Sequence, residues 1–185
     1  PLHVIYNSVD SQRFRPRPRP SCRDELAPDG QPVLAHVSNF RPVKNAPDVV
    51  RVFALVRGRV PARLAMVGEG PDLPKARAAA RELGVEQDVL FLGNREAVEE
   101  ILAASDLFLL PSSYESFGLA ALEAMSCGVP VLASEVGGLS EVIEPGLDGW
   151  LCRPGDLECM AEWARELLVH EDRRRAMGRA ARTCA

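Results

Sequence analysis

Two glutamates of this 185-residue chain, Glu115 and Glu123, stand eight residues apart and could together hold a ligand rich in hydroxyl groups. Each carboxylate accepts paired hydroxyl donors, so the pair suits a sugar at one end and a ribose at the other. Apolar runs at 107–110 and 129–133 predict buried strands, so the residues between them predict a helix that begins at the carboxyl end of a strand. The amino terminus of such a helix attracts phosphate or hydroxyl groups. Glutamates are also common on solvated helix faces, and the spacing alone does not decide between the two interpretations.

Two cations, Arg41 and Lys44, follow the first clear apolar run at 33–37 and precede a predicted helix. Cations at the carboxyl edge of a strand can neutralise a diphosphate as it departs as a leaving group. The alternative is a solvated loop that carries two surface cations, which is common on protein surfaces.

From Val33 onward the periodicity of apolar residues alternates between strand and helix. This alternation predicts an α/β fold, a doubly wound, Rossmann-like parallel sheet of about six strands with helices on both faces. Ligands bind at the carboxyl edge of such a sheet. We therefore expect Arg41, Lys44, Glu115 and Glu123 to line one cleft.

The bulk composition narrows the function classes. A net charge of −4 gives no indication of broad nucleic-acid binding, and no apolar run reaches the length of about 20 residues that a membrane span needs. Five cysteines without a CxxC pair, and no recognisable signal peptide, favour reduced thiols, so we expect a cytoplasmic protein. Three scattered histidines form no triad or metal-ligand pattern, and His36 is predicted to be packed within a strand. The sequence leaves open whether the chain forms a homo-oligomer.

The stretch 111–131 resembles the signature of retaining glycosyltransferase family 4, whose fold is named GT-B. The likeness continues through 136–143 and 149–151 and covers nearly all of the chain from Val33. It implies the carboxyl-terminal, donor-binding half of a two-domain enzyme that uses a nucleotide sugar without a required metal or cofactor. Residues 1–32 would then be the interdomain linker and lead-in segment, and residues 33–185 the donor-binding domain, with an amino-terminal acceptor domain outside this chain.

The same resemblance implies a role for each site residue. Arg41 and Lys44 would grip the diphosphate, Glu115 would hold sugar hydroxyls, and Glu123 would bind the ribose diol. Two further groups would contact the donor mainly through their main chain: Asn94 and Arg95 near the uracil, and Ser116, Phe117, Gly118 and Leu119 near the sugar and phosphate.

The run 37–44 looks like the branch of the family that makes N-acetylglucosaminyl L-malate in bacillithiol synthesis. It implies UDP-N-acetylglucosamine as donor and L-malate as an acceptor bound through the amino-terminal half. Arg41 and Lys44 are three residues apart, whereas the corresponding cations of the family are usually five residues apart. Two alternatives stay open: another nucleotide-sugar donor or acceptor, as in a mannosyl- or glucosyltransferase, or a non-catalytic nucleotide-sugar-binding domain.

Overall fold

The computed structural model describes residues 7–18 and 20–185, and residues 1–6 and Arg19 of the predicted linker lie outside them. Six parallel strands form one sheet in the order β3-β2-β1-β4-β5-β6. The strands are β1 Val33–Val37, β2 Arg63–Val67, β3 Val89–Gly93, β4 Leu107–Leu110, β5 Val131–Ser134 and β6 Gly149–Cys152. The predicted doubly wound sheet is confirmed, and its strand order reverses between β1 and β4, where such sheets open a crevice.

Eight helices connect and flank the strands within the described residues. They are α1 Arg23–Leu26, α2 Ala46–Arg57, α3 Leu73–Glu82, α4 Val98–Ala103, α5 Leu119–Ser126, α6 Leu139–Val142, α7 Leu157–Val169 and α8 Glu171–Cys184. Local sequence explains several boundaries. The Asp156 side chain caps α7 by accepting the Cys159 backbone N–H at 3.0 Å. Asp72 precedes α3 as expected of a cap, but its carboxylate makes an ion pair with Lys75 at 2.7 Å instead of a capping bond.

Both faces of the sheet are buried, because alternate residues of each strand point to opposite sides. In β4, Leu107 and Leu109 pack with α2, α3 and α7, whereas Phe108 and Leu110 pack with α4 and α5. This two-sided burial explains the nearly continuous apolar runs of the strands. None of the helices in the described part of the chain is long and apolar enough to cross a membrane.

The lead-in segment, here residues 7–18 and 20–32, is attached to the rest of the fold. Phe14 is buried in the core beside α5 and α8, and Arg182 of α8 donates to the Phe14 carbonyl at 3.0 Å. Arg13 and Arg17 make ion pairs with Glu99 and Glu100 at 3.0 and 2.7 Å. Residues 15–18 form neither helix nor strand, and the Arg17–Glu100 ion pair holds them against α4. The domain boundary at residue 33 stays a prediction.

Candidate functional site at the carboxyl edge of the sheet

Two loops meet over the crevice between β1 and β4. The loop after β1 ends in a 3-10 turn, Pro42–Lys44, and the loop after β4 runs from Pro111 to Gly118. Backbone and amide hydrogen bonds join them: Asn45 Nδ2 donates to the Pro111 carbonyl, and the Ser113 N–H donates to the Val43 carbonyl, both at 2.9 Å. Residues far apart in sequence are thereby held within reach of each other.

Lys44 and Glu115 form an ion pair at this junction. Lys44 Nζ donates to both carboxylate oxygens of Glu115, with a distance of 2.5 Å to Oε2. The Glu115 side chain is only 8% exposed and that of Lys44 is 22% exposed. Such a pair is charge-balanced when the site is empty, and its two members can serve different parts of a ligand that enters between them.

Arg41 lies at the start of the same 3-10 turn and is exposed. Within residues 7–18 and 20–185, its guanidinium makes no ion pair and no hydrogen bond. Because Lys44 is already paired with Glu115, Arg41 is the cation of this loop that is free to meet an anion.

Two glycines in the loop after β5 contact the backbone of the loop that carries Glu115. A Cβ on Gly137, whose φ is +53°, would lie 1.8 Å from the Glu115 carbonyl oxygen, and one on Gly138 would lie 2.6 Å from that of Ser116. The Gly138 N–H donates to the Glu115 carbonyl at 3.2 Å. Only glycine permits this approach, so the loop after β5 sets the backbone of the segment that leads to Gly118 and α5.

Glu123 has different neighbours from Glu115. It lies half-buried on α5, near Arg13 of the lead-in segment and Glu99 of α4. Burial raises the pKa of its carboxyl group; the Arg13 charge lowers it in part and the Glu99 charge raises it further. Among the described residues, Glu123 makes no ion pair or hydrogen bond with Lys44. The expectation that all four predicted side chains line one cleft stays a prediction.

Asn94 and Arg95 follow β3 at the same edge of the sheet, and both side chains are exposed. Asn94 Nδ2 lies 3.5 Å from Glu69 Oε2, and Arg95 Nε donates to the Leu92 carbonyl at 3.2 Å. With residues of the lead-in segment, among them Ser21, they line a cavity of about 350 Å³. Asn94 and Arg95 thus lie after β3 at the carboxyl edge of the sheet, and their contact with the uracil stays a prediction.

The prediction that His36 is packed within a strand is confirmed. The ring is fully buried in β1, as expected, but both of its nitrogens have polar partners: Nδ1 lies 2.9 Å from the Leu109 carbonyl oxygen and Nε2 lies 2.8 Å from Ser38 Oγ. The close spacing of His36, Ser38 and Phe40 is the only local indication of this network. Within the described part of the chain, no three His, Cys, Asp or Glu side chains cluster as metal ligands.

The family model described as "Glycosyl transferases group 1" matches residues 20–183. N-acetyl-alpha-D-glucosaminyl L-malate synthase of Bacillus anthracis is 42% identical over 182 residues, covering 98% of this chain and 48% of that protein. D-inositol 3-phosphate glycosyltransferase of Nocardia farcinica is 40% identical over 190 residues, covering 96% of this chain and 42% of that protein.

The fold of this chain is also similar to that of a solved structure. Anabaena HepE in complex with UDP-glucose has a TM-score of 0.87 and 28% identity, covering 98% of this chain and 51% of that one. The present chain therefore spans about half the length of the relatives that it matches.

Proposed function

The chain belongs to the glycosyl transferases group 1 family, and on that premise we propose that it is the donor-binding half of a retaining glycosyltransferase. The observation that carries the proposal is the partly buried Lys44–Glu115 ion pair, which joins the loops after β1 and β4, with the free cation Arg41 in the same loop as Lys44. A carboxylate and two cations at this edge match the chemistry of a sugar diphosphate.

The ion pair suggests how the donor is received. A diphosphate that enters the crevice brings negative charge to Arg41 and competes with Glu115 for Lys44. Once Lys44 turns to the phosphate, the Glu115 carboxylate can accept hydroxyl groups of the sugar. Both cations then stabilise the charge that develops on the departing diphosphate, which is where fixed charges accelerate a reaction most.

The remaining predicted residues would hold the rest of the nucleotide. Glu123 would accept the two ribose hydroxyls, and the main chain near Asn94 and Arg95 would contact the uracil. The backbone of residues 116–119 lies at the start of α5, where free N–H groups favour phosphate or sugar oxygens.

For donor and acceptor, we infer transfer of N-acetylglucosamine from UDP-N-acetylglucosamine to L-malate. The 42% identical Bacillus anthracis relative is named for that product, and the run 37–44 resembles the same branch. A second candidate is an inositol phosphate acceptor, supported by the 40% identical D-inositol 3-phosphate glycosyltransferase. In either case the other half of the enzyme would supply most of the acceptor site. Five free cysteines fit the reducing cytoplasm that we propose as its location.

Calorimetric titration of this chain tests the proposal. We expect heat of binding with UDP and UDP-N-acetylglucosamine, weaker binding of UDP-glucose, and none with GDP-mannose. Lys44→Met should weaken UDP binding, whereas Arg59→Met, which removes an exposed cation between α2 and β2, should not. A chain that binds none of the four ligands at millimolar concentration would rule out the donor-binding function.

A further inference from the structure

The His36 side chain connects the two strands that border the crevice. Its ring is 0% exposed, lies between Phe40 and Phe108 with centroid distances of 5.9 and 6.3 Å, and bonds to the β4 backbone at Leu109. A carbonyl oxygen only accepts hydrogen bonds, so Nδ1 must carry the ring hydrogen and donate it. The Nε2 atom is then an acceptor, and the Ser38 hydroxyl must donate to it.

The Ser38 hydroxyl oxygen extends these hydrogen bonds into the loop after β1. It accepts the Phe40 backbone N–H at 3.2 Å, and Phe40 has a φ of +39°, a left-handed conformation that is uncommon for a bulky residue. Three consecutive hydrogen bonds therefore run from β4 through His36 and Ser38 to Phe40. Arg41 is the next residue, and Lys44 follows one short turn later.

The loop after β1 is closely packed against the loop after β2. A Cβ on Gly68 would lie 1.8 Å from the Ser38 carbonyl oxygen, and one on Gly70 would lie 2.0 Å from that of Asn39. The backbone after β1 is thus in direct contact with the loop after β2, while the hydrogen bonds hold it to β4 on the other side.

We propose that His36 and Ser38 are positioning residues for diphosphate binding, which hold the loop so that Arg41 and Lys44 face the phosphates. This inference rests on the proposed function, because it assumes that the loop receives a nucleotide diphosphate. Neither side chain touches the ligand in this proposal; both act through the backbone conformation of Phe40.

Burial supports a constant arrangement of these bonds. Removal from water lowers the pKa of His36 to about 4, so the ring is neutral at physiological pH. Leu109 contributes a backbone hydrogen bond that opposes this shift, and the Lys44 charge adds to it. A neutral ring with one donor and one acceptor nitrogen keeps the direction of every bond in the chain.

The test compares two ligands that differ only in the diphosphate. Affinities of the 185-residue chain for UDP and for uridine are measured by calorimetry and by protein-observed NMR. Ser38→Ala removes the hydroxyl that links His36 to Phe40. We expect it to weaken UDP binding by about tenfold, as for a lost hydrogen bond, while uridine affinity stays unchanged. Ser38→Thr keeps the hydroxyl and should retain the wild-type ratio.

A matched control separates positioning from general stability. Ser105 is also partly buried, and its hydroxyl donates to the Ile101 carbonyl at 2.7 Å, far in sequence from the diphosphate loop. Ser105→Ala should leave the ratio of UDP to uridine affinity unchanged. If Ser38→Ala changes this ratio no more than Ser105→Ala does, or if Ser38→Thr loses as much as Ser38→Ala, the positioning role is wrong. A wild-type chain that binds no UDP would instead overturn the proposed function, and this inference with it.

Discussion

At the scale of residues, the Lys44–Glu115 pair joins two charges that the fold removes largely from water. A buried carboxylate that loses its cation keeps the cost of desolvation without the compensating attraction. The pair is therefore expected to matter for stability when no ligand is bound, in addition to its proposed role with the donor.

One single and one double substitution test this expectation. Lys44→Met should lower the free energy of unfolding by about 1 to 3 kcal/mol, because Glu115 is left unpaired. The double variant Lys44→Met with Glu115→Gln should recover part of the lost free energy of unfolding. Urea denaturation measures this free energy for both variants. Arg51→Met breaks an exposed ion pair with Asp48 and should cost at most about 0.5 kcal/mol. Equal losses for Lys44→Met and Arg51→Met would contradict the proposed burial effect.

The Glu123 carboxylate is predicted to lower stability at neutral pH while it contributes to ligand binding. Burial raises the pKa of its carboxyl group above the unfolded value, so the folded chain retains a proton at pH values where the unfolded chain has already released it. Stability contributed by this group is therefore present at low pH and lost as the pH rises through the folded pKa. Glu123→Gln should raise the melting temperature at pH 7 and flatten its change between pH 4 and pH 7, yet weaken uridine binding. A lower melting temperature at pH 7 would show that Arg13 pairs with the carboxylate strongly enough to reverse the sign.

At the scale of elements, glycine-lined contacts between loops give the crevice its shape. The loops after β1 and β2 meet at Gly68 and Gly70, and the loops after β4 and β5 meet at Gly137 and Gly138. Each contact places one backbone against another, so the strands behind them cannot shift independently.

Two glycine substitutions separate backbone conformation from loop contact. Gly137 and Gly155 both have positive φ, +53° and +81°, but a Cβ on Gly155 would meet nothing within 4 Å. Gly155→Ala should cost about 1 kcal/mol from backbone strain alone. Gly137→Ala should cost about 1 to 3 kcal/mol more, because its Cβ collides with the Glu115 carbonyl, and it should also weaken UDP binding. Thermal denaturation and calorimetry measure these effects, and identical behaviour of the two variants would mean that the loop contact has no role.

At the scale of the whole molecule, the match to the Bacillus anthracis relative covers 98% of this chain but only 48% of that protein. The resemblance to the glycosyltransferases, stated from the residues, is confirmed by the family match. An open half-site leaves much of a ligand in water, which lowers affinity.

We therefore expect the 185-residue chain to bind UDP weakly and to catalyse no transfer. Release of UDP from UDP-N-acetylglucosamine, followed with and without L-malate, provides the measurement. The control is the same assay with a longer enzyme that contains this domain. Malate-dependent release by the short chain at a rate typical of enzymes would show that the acceptor site lies within these residues.

Local patterns predicted the architecture well, because strand and helix periodicity depends on which residues are apolar and in what order. The alternation from Val33 onward indicated the six-stranded sheet, and the apolar runs 107–110 and 129–133 indicated the strands on either side of Glu115. The placement of Arg41, Lys44 and Glu115 after strands was also readable, because carboxyl ends of parallel strands share one edge.

Tertiary structure alone decided which of these side chains meet. Lys44 and Glu115 are 71 residues apart, and they pair because β1 and β4 are neighbours and their loops are bonded to each other. Glu123 lies on the next turns of the same segment, yet its neighbours come from α4 and the lead-in segment. The hydrogen bond from His36 to Leu109 likewise spans two strands. Such contacts depend on strand order and loop geometry, which arise from long-range packing and have no periodic trace in the sequence.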